Sequence, residues 1–510
     1  NYIGRHFPAA TPDLANAIIA RMISLAQEGG TVSFVSPHNW LFLTTYKLFR
    51  RSFLEKSHPV IVSGLGKKAF ELNPTWDFPV ILAAFTVDDP SISRHYYGID
   101  VSSAGNPNKK GKMLTSAPLS VSSVKVSAHD PDMRITLEEI EVGARLNELA
   151  GSFVGFQHGD APRWVLYFWE LSSFGDRWSP YQLTTSSTTL FDGRTAVLKW
   201  EGGEGALVAS PQSYVKGREA WGRTGVIVRQ IGDLPASIYV GDLYDQASTA
   251  IIPHDANDIG AIWAYVSSPE FNTQVRKIDK KLNVTNSTLT KVPFDKDRWG
   301  KIFKDQFPSG LPEPYSRNAT QWIFHGHPAN SLEGNSLHVA FARLCGYRWP
   351  AESHPDMRLS EEARAWIANA AELPPGDNDG LLGIPPVAGE KSLADRLRAY
   401  LRGAFGTDWS DALERRLIAE ADEALDKKVA RDGSLETWVR DRAFRQHCAL
   451  FGQRPFLWHI SDGLKDGFSV FAHYHRFDQA NLRKLTYTLL GDWLARAKAE
   501  GNTLRYEKGR

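Results

Sequence analysis

Along the first 90 positions, apolar residues recur in alternating helical and strand rhythms. In "PDLANAIIARMISLAQ" (12–27), Leu14, Ile18, Met22 and Leu25 follow the helical period, and Gly29-Gly30 stops it. "TVSFVS" (31–36) then reads as a strand and "YKLFRRSFLEK" (46–56) as a short amphipathic helix. "PVIVSG" (59–64) and "FPVILAAFTV" (78–87) read as two more strands. Helix and strand in turn predict a parallel or mixed sheet with helices on its faces. The pattern is entered midway, without a first strand and its phosphate or cofactor loop.

Residues 90–133 are rich in Ser, Gly, Pro and Asn, and "ITLEEIEVGARLNELAG" (135–151) reads as a helix ending at Gly151. From 152 to about 265 the rhythm changes to short runs, "RWVLYFWEL", "TAVLKW", "GVIVRQI", "ASIYVG" and "STAIIP", separated by Gly, Ser and Pro. These predict a β-rich domain. "IGAIWAYVSSPEFNTQVRKI" (259–278) is a helix with a loop in its middle. Beyond 300, helices dominate: "SLHVAFARLCGY", "SEEARAWIANAAEL", "SLADRLRAYLRGAF" and "WSDALERRLIAEADEALDKKVA" (409–430). "RPFLWHI" and "GFSVFAHYHRF" predict a late β-hairpin, and "DQANLRKLTYTLLGDWLARAKAE" (478–500) a closing helix. No tandem repeat is visible.

Composition narrows the class. The 510 residues leave room for two to four domains, and the apolar and charged shares are those of an ordinary globular protein. With 59 Lys+Arg against 58 Asp+Glu, a nucleic-acid partner has to be held by local basic patches rather than by a global field. Two cysteines, Cys345 and Cys448, make no disulfide framework and suit a reducing compartment. No apolar run approaches membrane-spanning length, and the sequons at Asn283, Asn286 and Asn318 read as chance matches. The first residue is Asn rather than Met, which predicts an N-terminus made by cleavage or truncation.

Several chemical signals can be weighed. Gly64-x-Gly66-x-x-Ala69 follows a strand, and Asp88 ends the next one, as in a dinucleotide fingerprint; Pro74 leaves too little helix after it, so a structural turn is the expectation. His447, Cys448, His459, His473 and His475 form the densest metal-like group, in a spacing that fits no familiar finger, and hydrogen-bonded histidines are expected instead. Gly-x-Ser-x-Gly, a P-loop and His-Glu-x-x-His are absent. Cations and aromatics interleave in "YVKGREAWGRTGVIVR" (214–229) and in "TQVRKIDKKLNVTNSTLTK" (273–291). Such density suits phosphate contacts, with neighbouring Asn, Thr and Ser able to read base edges; a solvated helix end and hairpin surface would look the same.

The order of these segments resembles a known group. "IGRHFPAATPDLANAIIARMISLAQEGGTVSFVSPHNWLFLTTYKLFRRSFLE" is similar to the region just downstream of the Asn-Pro-Pro-Tyr motif in large N6-adenine DNA methyltransferases. That group includes type IIG restriction–modification enzymes, the BREX phage-defence methylase PglX and the DISARM adenine methylase. "SGLGKKAF", "RLNELAGSFVGFQHGDAPRWVLYFWEL", "YVSSPEFNTQVRKIDKKLNVTNSTLTKVPF" and "FRQHCALFGQRPFLWHISDGLKDGFSVFAHYHRF" resemble further segments of that group, in the expected order.

The resemblance implies three regions. Residues 1–133 would be the C-terminal half of a Rossmann-like α/β methyltransferase sheet, 134–300 a β-rich target-recognition domain, and 301–510 a mainly α-helical spacer with the late hairpin. It implies double-stranded DNA as partner, a cytoplasmic setting, and S-adenosylmethionine as cofactor, with other defence-system subunits as further partners. The DNA contacts expected here are Lys216, Arg218, Trp221, Arg223, Lys277, Lys280, Lys281 and Asn283. Neither the Gly-rich cofactor loop nor Asn-Pro-Pro-Tyr occurs in the 510 residues, so no catalytic or cofactor-binding residue carries over and S-adenosylmethionine would be bound by sequence not in this chain. A non-catalytic DNA specificity subunit is the first alternative. A nucleotide-dependent oxidoreductase using Gly64 and Gly66 is the second.

Overall fold

The computed structural model describes residues 2–71, 78–88, 95–124, 132–137, 144–279, 281–426, 433–465, 467–499 and 501. The chain forms two compact units: residues 1–149 with 268–295, and residues 150–267 with 296–510.

The first unit is a mixed five-stranded sheet. Its strands are β1 (Thr31–Pro37), β2 (Ser57–Gly66), β3 (Val80–Val87), β4 (His95–Asp100) and β5 (Ser120–Ser123), in the order β1-β3-β2-β4-β5. β3 runs antiparallel to both β1 and β2, from Thr31↔Thr86 to Pro37↔Val80 on one side, while β2 and β4 are parallel. The three strands expected from the sequence are therefore present, in a mixed sheet. Because the next strand, β3, pairs antiparallel with β2 and the described residues 67–71 form no helix, Gly64 and Gly66 do not open a crossover helix there, as the dinucleotide fingerprint requires.

Helix α1 (Leu14–Leu25) begins where the Asp13 side chain accepts from the Ala15 amide at 2.9 Å. It buries Asn16, Ala17, Ile19 and Ile23, while Leu14, Ile18 and Leu25 stand 63%, 54% and 68% exposed. The apolar period found the helix, yet three of the four residues that marked it, Leu14, Ile18 and Leu25, are exposed. Helix α2 (Lys47–Leu54) packs Phe49 and Phe53 edge-on against Trp40, with ring centroids 5.5 and 5.6 Å away. Phe53 also meets Phe85 of β3 at 4.6 Å.

Residues 290–294 return to this unit beside residues 144–147. The Asn147 amide donates to the Thr290 carbonyl at 2.7 Å, and the Phe294 amide to the Ala144 carbonyl at 2.8 Å. The helix expected to end at Gly151 is corrected here. Leu146–Glu148 is one tight turn, closed by Glu148 accepting from the Arg145 amide, and Ala150–Val154 is a strand; residues 138–143 lie outside the described residues.

In the second unit, β6 (Ala150–Val154), β10 (Gly225–Arg229), β11 (Ala236–Tyr239) and β13 (Ser248–Pro253) make an antiparallel sheet in the order β11-β10-β13-β6. β7 (Val165–Tyr167), β8 (Trp178–Gln182), β9 (Ala196–Lys199) and β12 (Leu243–Tyr244) make another. Of "RWVLYFWEL", Val165–Tyr167 alone is extended, with short helical turns on either side.

The helices expected after 300 form at Ser336–Leu344, Glu361–Ala371, Leu393–Phe405 and Asp411–Leu425; positions 427–430 lie outside the described residues. Ser336–Leu344, Leu393–Phe405 and Asp411–Leu425 share one core with the β-rich segment, in which Trp169 and Val197 join Phe341, Trp349 and Trp438. The late hairpin is β15 (Leu457–Ser461) on β16 (Ser469–His473), paired from Leu457↔His473 to Ser461↔Ser469, and β14 (Leu381–Gly383) pairs with the other edge of β16. The closing helix runs from Gln479 to Ala499 through a π-helical stretch at Lys484–Leu489. Among the described residues no helix is long and apolar enough to cross a membrane.

The break inside 259–278 separates the two units. Ile259–Val266 closes the first part, and Ser268 caps the helix Pro269–Ile278 by accepting from the Phe271 amide at 3.4 Å, with Pro269 at its first position.

Candidate functional site

The first unit contains a cavity of about 330 Å³ at the C-terminal ends of β1, β2 and β4. Ligands of α/β sheets sit at this edge. Two buried cations build its walls. Arg50, fully buried on α2, donates to the carbonyls of Trp40 (2.6 Å), Leu43 (2.8 Å) and Asp132 (2.6 and 3.0 Å). Those bonds hold the 40–43 turn against the 132–135 segment, where the Ile135 amide also reaches the Leu41 carbonyl at 3.0 Å. Lys110, buried on helix α3 (Pro107–Leu114), donates to the carbonyls of Leu65 (2.7 Å), Val101 and Ser102 (3.4 Å each) and so clips the end of β2 to the end of β4. A buried ammonium needs such a full set of acceptors.

Gly64 and Gly66 fit this edge for steric reasons. A Cβ on Gly64 would lie 2.6 Å from the Leu137 side chain, and Gly66, at φ +65°, has the Cβ of Ser102 at the same distance. The glycine turn is thus a close-packing feature of the cavity wall, in line with the structural turn expected from the sequence.

The floor is apolar, from Leu41, Val80, Ile81, Ile135 and Leu137. Among the described residues the rim carries Lys67, Arg134, Arg145, Lys277 and Lys291 against the single carboxylate of Asp100, which accepts from the Ser102 amide at 2.8 Å. Lys291 is engaged by Asp132 and by the Thr44 hydroxyl at 2.6 Å. Lys67 and Lys277 are exposed, and their side chains make no hydrogen bond or ion pair to any described residue. Gln274, 9% exposed on Pro269–Ile278, lines the same cavity, and its amide has no hydrogen-bond partner among the described residues.

Of the DNA contacts expected from the sequence, Lys277 lines this cavity. Lys280 lies outside the described residues. Lys281 and Asn283 belong to a loop organised by buried Asp279, whose carboxylate accepts from the amides of Lys281 (3.0 Å) and Thr285 (3.2 Å); Arg276 donates to the Lys281 carbonyl. The one acid of this basic stretch is therefore spent on loop geometry. Asn283 is exposed.

Lys216, Arg218, Trp221 and Arg223 stand on the other unit, on a loop that starts at exposed Tyr214. The Lys216 ammonium is 5.7 Å from the Tyr214 ring and 3.4 Å from the Gln157 amide oxygen, and the Arg218 guanidinium covers Trp221 at 5.3 Å. Trp221 is half-buried edge-on against Trp200 at 5.5 Å, so one face of it is anchored. Arg223 donates to the carbonyls of Pro253 (3.0 Å) and Glu219 (3.4 Å), which gives it a structural task beside its charge.

Three histidines of the group have local partners, as expected from the sequence, while among the described residues His473 has none on either ring nitrogen. His447 accepts from the Leu457 amide at 3.3 Å, His459 shares 2.6 Å with the Ser469 hydroxyl, and His475 shares 2.8 Å with the Trp169 carbonyl. No group of three or more metal-ligating residues occurs among the described residues. Burial pushes His473 down to about 3 and His338 to about 4, and holds His447 well below the usual imidazole range.

Sequence reasoning missed Lys67, Arg134, Arg145, Gln274 and Lys291 as partners of one cavity. They come from four stretches of chain, and the basic density around 276–291 was the one local signal.

No protein-family model matches the chain. Over 71 residues it is 32% identical to the adenine-specific methyltransferase PglX of Lacticaseibacillus casei (strain Zhang), which bears out the resemblance read from the sequence. That stretch is 14% of this chain and 6% of PglX, so the chain matches a small part of that relative's length. Solved structures overlap it partially. The Type IIL restriction–modification enzyme MmeI in complex with DNA has 10% identity and a TM-score of 0.35, over 78% of this chain and 50% of that one. The DrdV–DNA complex has 11% and 0.34, over 61% and 42%. A nuclease-deletion mutant of the Type ISP enzyme LlaGI with a DNA substrate mimic has 11% and 0.33, over 57% and 30%.

Proposed function

We propose that this chain is the DNA-recognising C-terminal portion of an N6-adenine DNA methyltransferase serving restriction–modification or phage defence in the cytoplasm, as in BREX or DISARM systems. The observation that carries the reading is the 71-residue likeness to an adenine-specific methyltransferase. The sheet agrees with it. Among the described residues β1 is bonded on one side only, to β3, and the neighbouring helix α1 leaves Leu14, Ile18 and Leu25 uncovered. A further strand and helix would cover both, as the rest of a Rossmann-like domain would.

In this reading residues 134–300 read the DNA site, with exposed Lys216 and Arg218 beside the half-buried Trp221 as a cationic and aromatic surface. Residues 301–510 support that surface through the shared core. The Gly64/Gly66 turn does not fit S-adenosylmethionine: a side chain there would meet Leu137 and Ser102, and among the described residues no helix starts between this turn and the antiparallel strand β3. The cofactor belongs to sequence outside these 510 residues, and methyl transfer is an activity of the intact enzyme.

The deciding experiment is the intact mass of the native gene product, with peptide mapping, alongside duplex-DNA binding across a salt series. A heavier chain carrying an Asn-Pro-Pro-Tyr peptide, and DNA affinity that falls with salt, supports the proposal. A mass near 56.9 kDa with retained DNA binding converts it to a specificity subunit with a separate catalytic partner. Absence of DNA binding by the native product overturns it.

A further inference from the structure

We infer that Gln157 and Lys216 together read one guanine in the major groove of duplex DNA, with the lysine turning the glutamine amide so that the pair offers hydrogen-bond donors alone. The inference rests on the DNA reading above and names two residues that would set the sequence recognised.

Both side chains stand on one face of a short ribbon in the second unit. The Gln157 amide donates to the Tyr214 carbonyl at 3.1 Å and the Tyr214 amide to the Gln157 carbonyl at 2.8 Å, an antiparallel bridge whose two residues point to the same side. Lys216, two positions on, returns to that side, while Phe156 and Val215 turn inward to one apolar cluster. Glycines fix the neighbouring turns. Gly159 (φ +74°) and Gly217 (φ +77°) are left-handed, and a Cβ on them would lie 2.5 Å from the Gln212 carbonyl oxygen and 2.8 Å from that of Val154. A ribbon held this closely can aim its side chains at a base edge, and a two-stranded ribbon fits the major groove.

The Lys216 ammonium lies 3.4 Å from the Gln157 side-chain oxygen, and among the described residues it has no carboxylate partner. An ammonium bonds the oxygen of an amide and not its NH2, so this contact decides which way the amide points. The acceptor of Gln157 is thereby occupied, and its NH2 has no partner among the described residues. What the pair can offer a base is that NH2 beside the remaining N–H groups of Lys216. Guanine is the base with two neighbouring acceptors, N7 and O6, in the major groove. Adenine and cytosine set an amino group against such a pair, and thymine offers O4 alone. Lys216 keeps its charge in this role, so its share of the salt dependence is retained.

The test is selection of bound duplexes from a random-sequence library by the full chain, with circular dichroism to establish that each variant folds. In the parent, one position should favour guanine over adenine about tenfold, and 7-deazaguanine there should lose a similar factor. Lys216→Met frees the Gln157 oxygen, so the same position should shift to adenine, whose N6–H and N7 match an amide with one donor and one acceptor. Lys216→Arg should keep guanine. Gln157→Ala should cut the preference to about threefold or less, and Gln157→Glu, close to isosteric, takes its place if the alanine variant does not fold.

A change confined to that one position supports the inference. A consensus left unaltered in every variant overturns it, as does a Lys216→Met variant that binds more weakly with guanine kept, or a parent that binds duplexes without sequence preference. In those three cases DNA still binds, and DNA recognition by the chain survives the loss of the inference. A parent that binds no duplex overturns both.

Discussion

Lowering the pH should unfold the larger unit well before its carboxylates titrate, because that unit buries neutral histidines. Burial is the leading cause in each case, holding His325 and His473 to about 3 and His338 to about 4, against 6.5 for a free imidazole. His338 does bond Gln446 at 3.3 Å and His325 the Asn330 carbonyl at 2.9 Å, but these bonds do not offset the lost hydration of the cation. His473 has no partner on either ring nitrogen.

The folded pKa lies below the unfolded one, so the unfolded chain takes up protons first as pH falls. The stability is complete above about 6.5 and is lost between there and the folded value. At about pH 5 each of the three histidines costs about 2 kcal/mol relative to about pH 8, or about 6 kcal/mol together. That is a large part of the 5–15 kcal/mol, roughly, that holds a folded domain.

Urea unfolding followed by tryptophan fluorescence reads this directly, since all but Trp40 and Trp76 of the sixteen tryptophans belong to the larger unit. The midpoint should fall by about 2 M between those two pH values, taking a urea slope near 3 kcal/mol/M. His473→Leu should remove about 2 kcal/mol of that loss, a share below one third because buried His327 and His447 are depressed in the same direction, which separates the histidine contribution from any acidic group. A midpoint that stays level or rises as pH drops refutes the reasoning.

Three other outcomes follow from buried or exposed cations. Arg50→Met strips donors from the carbonyls of Trp40, Leu43 and Asp132 and should cost the first unit about 3 kcal/mol or more; an unchanged melt by circular dichroism would contradict this. Lys110→Met should cost a similar amount, about 3 kcal/mol, because the β2 and β4 ends lose their clip; a melt identical to that of the parent chain would contradict this. Lys216→Ala and Arg218→Ala should each lower the slope of log affinity against log salt for duplex DNA by about 1. Arg223→Ala should instead show mainly as lost stability, since its guanidinium holds two carbonyls; equal salt slopes for all three variants would remove the distinction.

Local sequence was most informative where burial on both faces left little choice. "GVIVR", "ASIY" and "STAIIP" are short, mostly apolar runs, and all three are buried strands of one sheet. The break at Ser267-Ser268-Pro269 was legible because a cap and a proline fix a helix start without help from elsewhere. Residues 144–151 were misread because their periodicity was right for a helix, while a distant partner decided the outcome. The Ala150–Val154 stretch pairs with Thr249–Pro253 a hundred positions away, and a sheet partner overrides local preference. On α1 the period gave the helix but not its inner face. The sheet takes the smaller Ala17 with Ile19 and Ile23, and a surface for Leu14, Ile18 and Leu25 is not among the described residues.

The cavity lay beyond local reading. Its wall depends on Arg50, and nothing local separates Arg50 from Arg51 beside it: both sit on one short amphipathic helix between Phe49 and Phe53. The difference is made by acceptors that arrive from the turn at 40–43 and from residue 132, more than eighty positions downstream. A buried guanidinium is tolerable where such acceptors saturate it and ruinous where they do not, so the helix can rotate Arg50 inward only after those segments have met. The same holds for Gln274 and Lys277. Three positions apart on one helix, they face one cavity whose floor is laid by strands that precede them by some two hundred residues. Charge density could single out Lys277, because unpaired cations cluster in sequence. A neutral amide carries no such mark, and its chemistry becomes visible once the fold has closed an apolar floor beneath it.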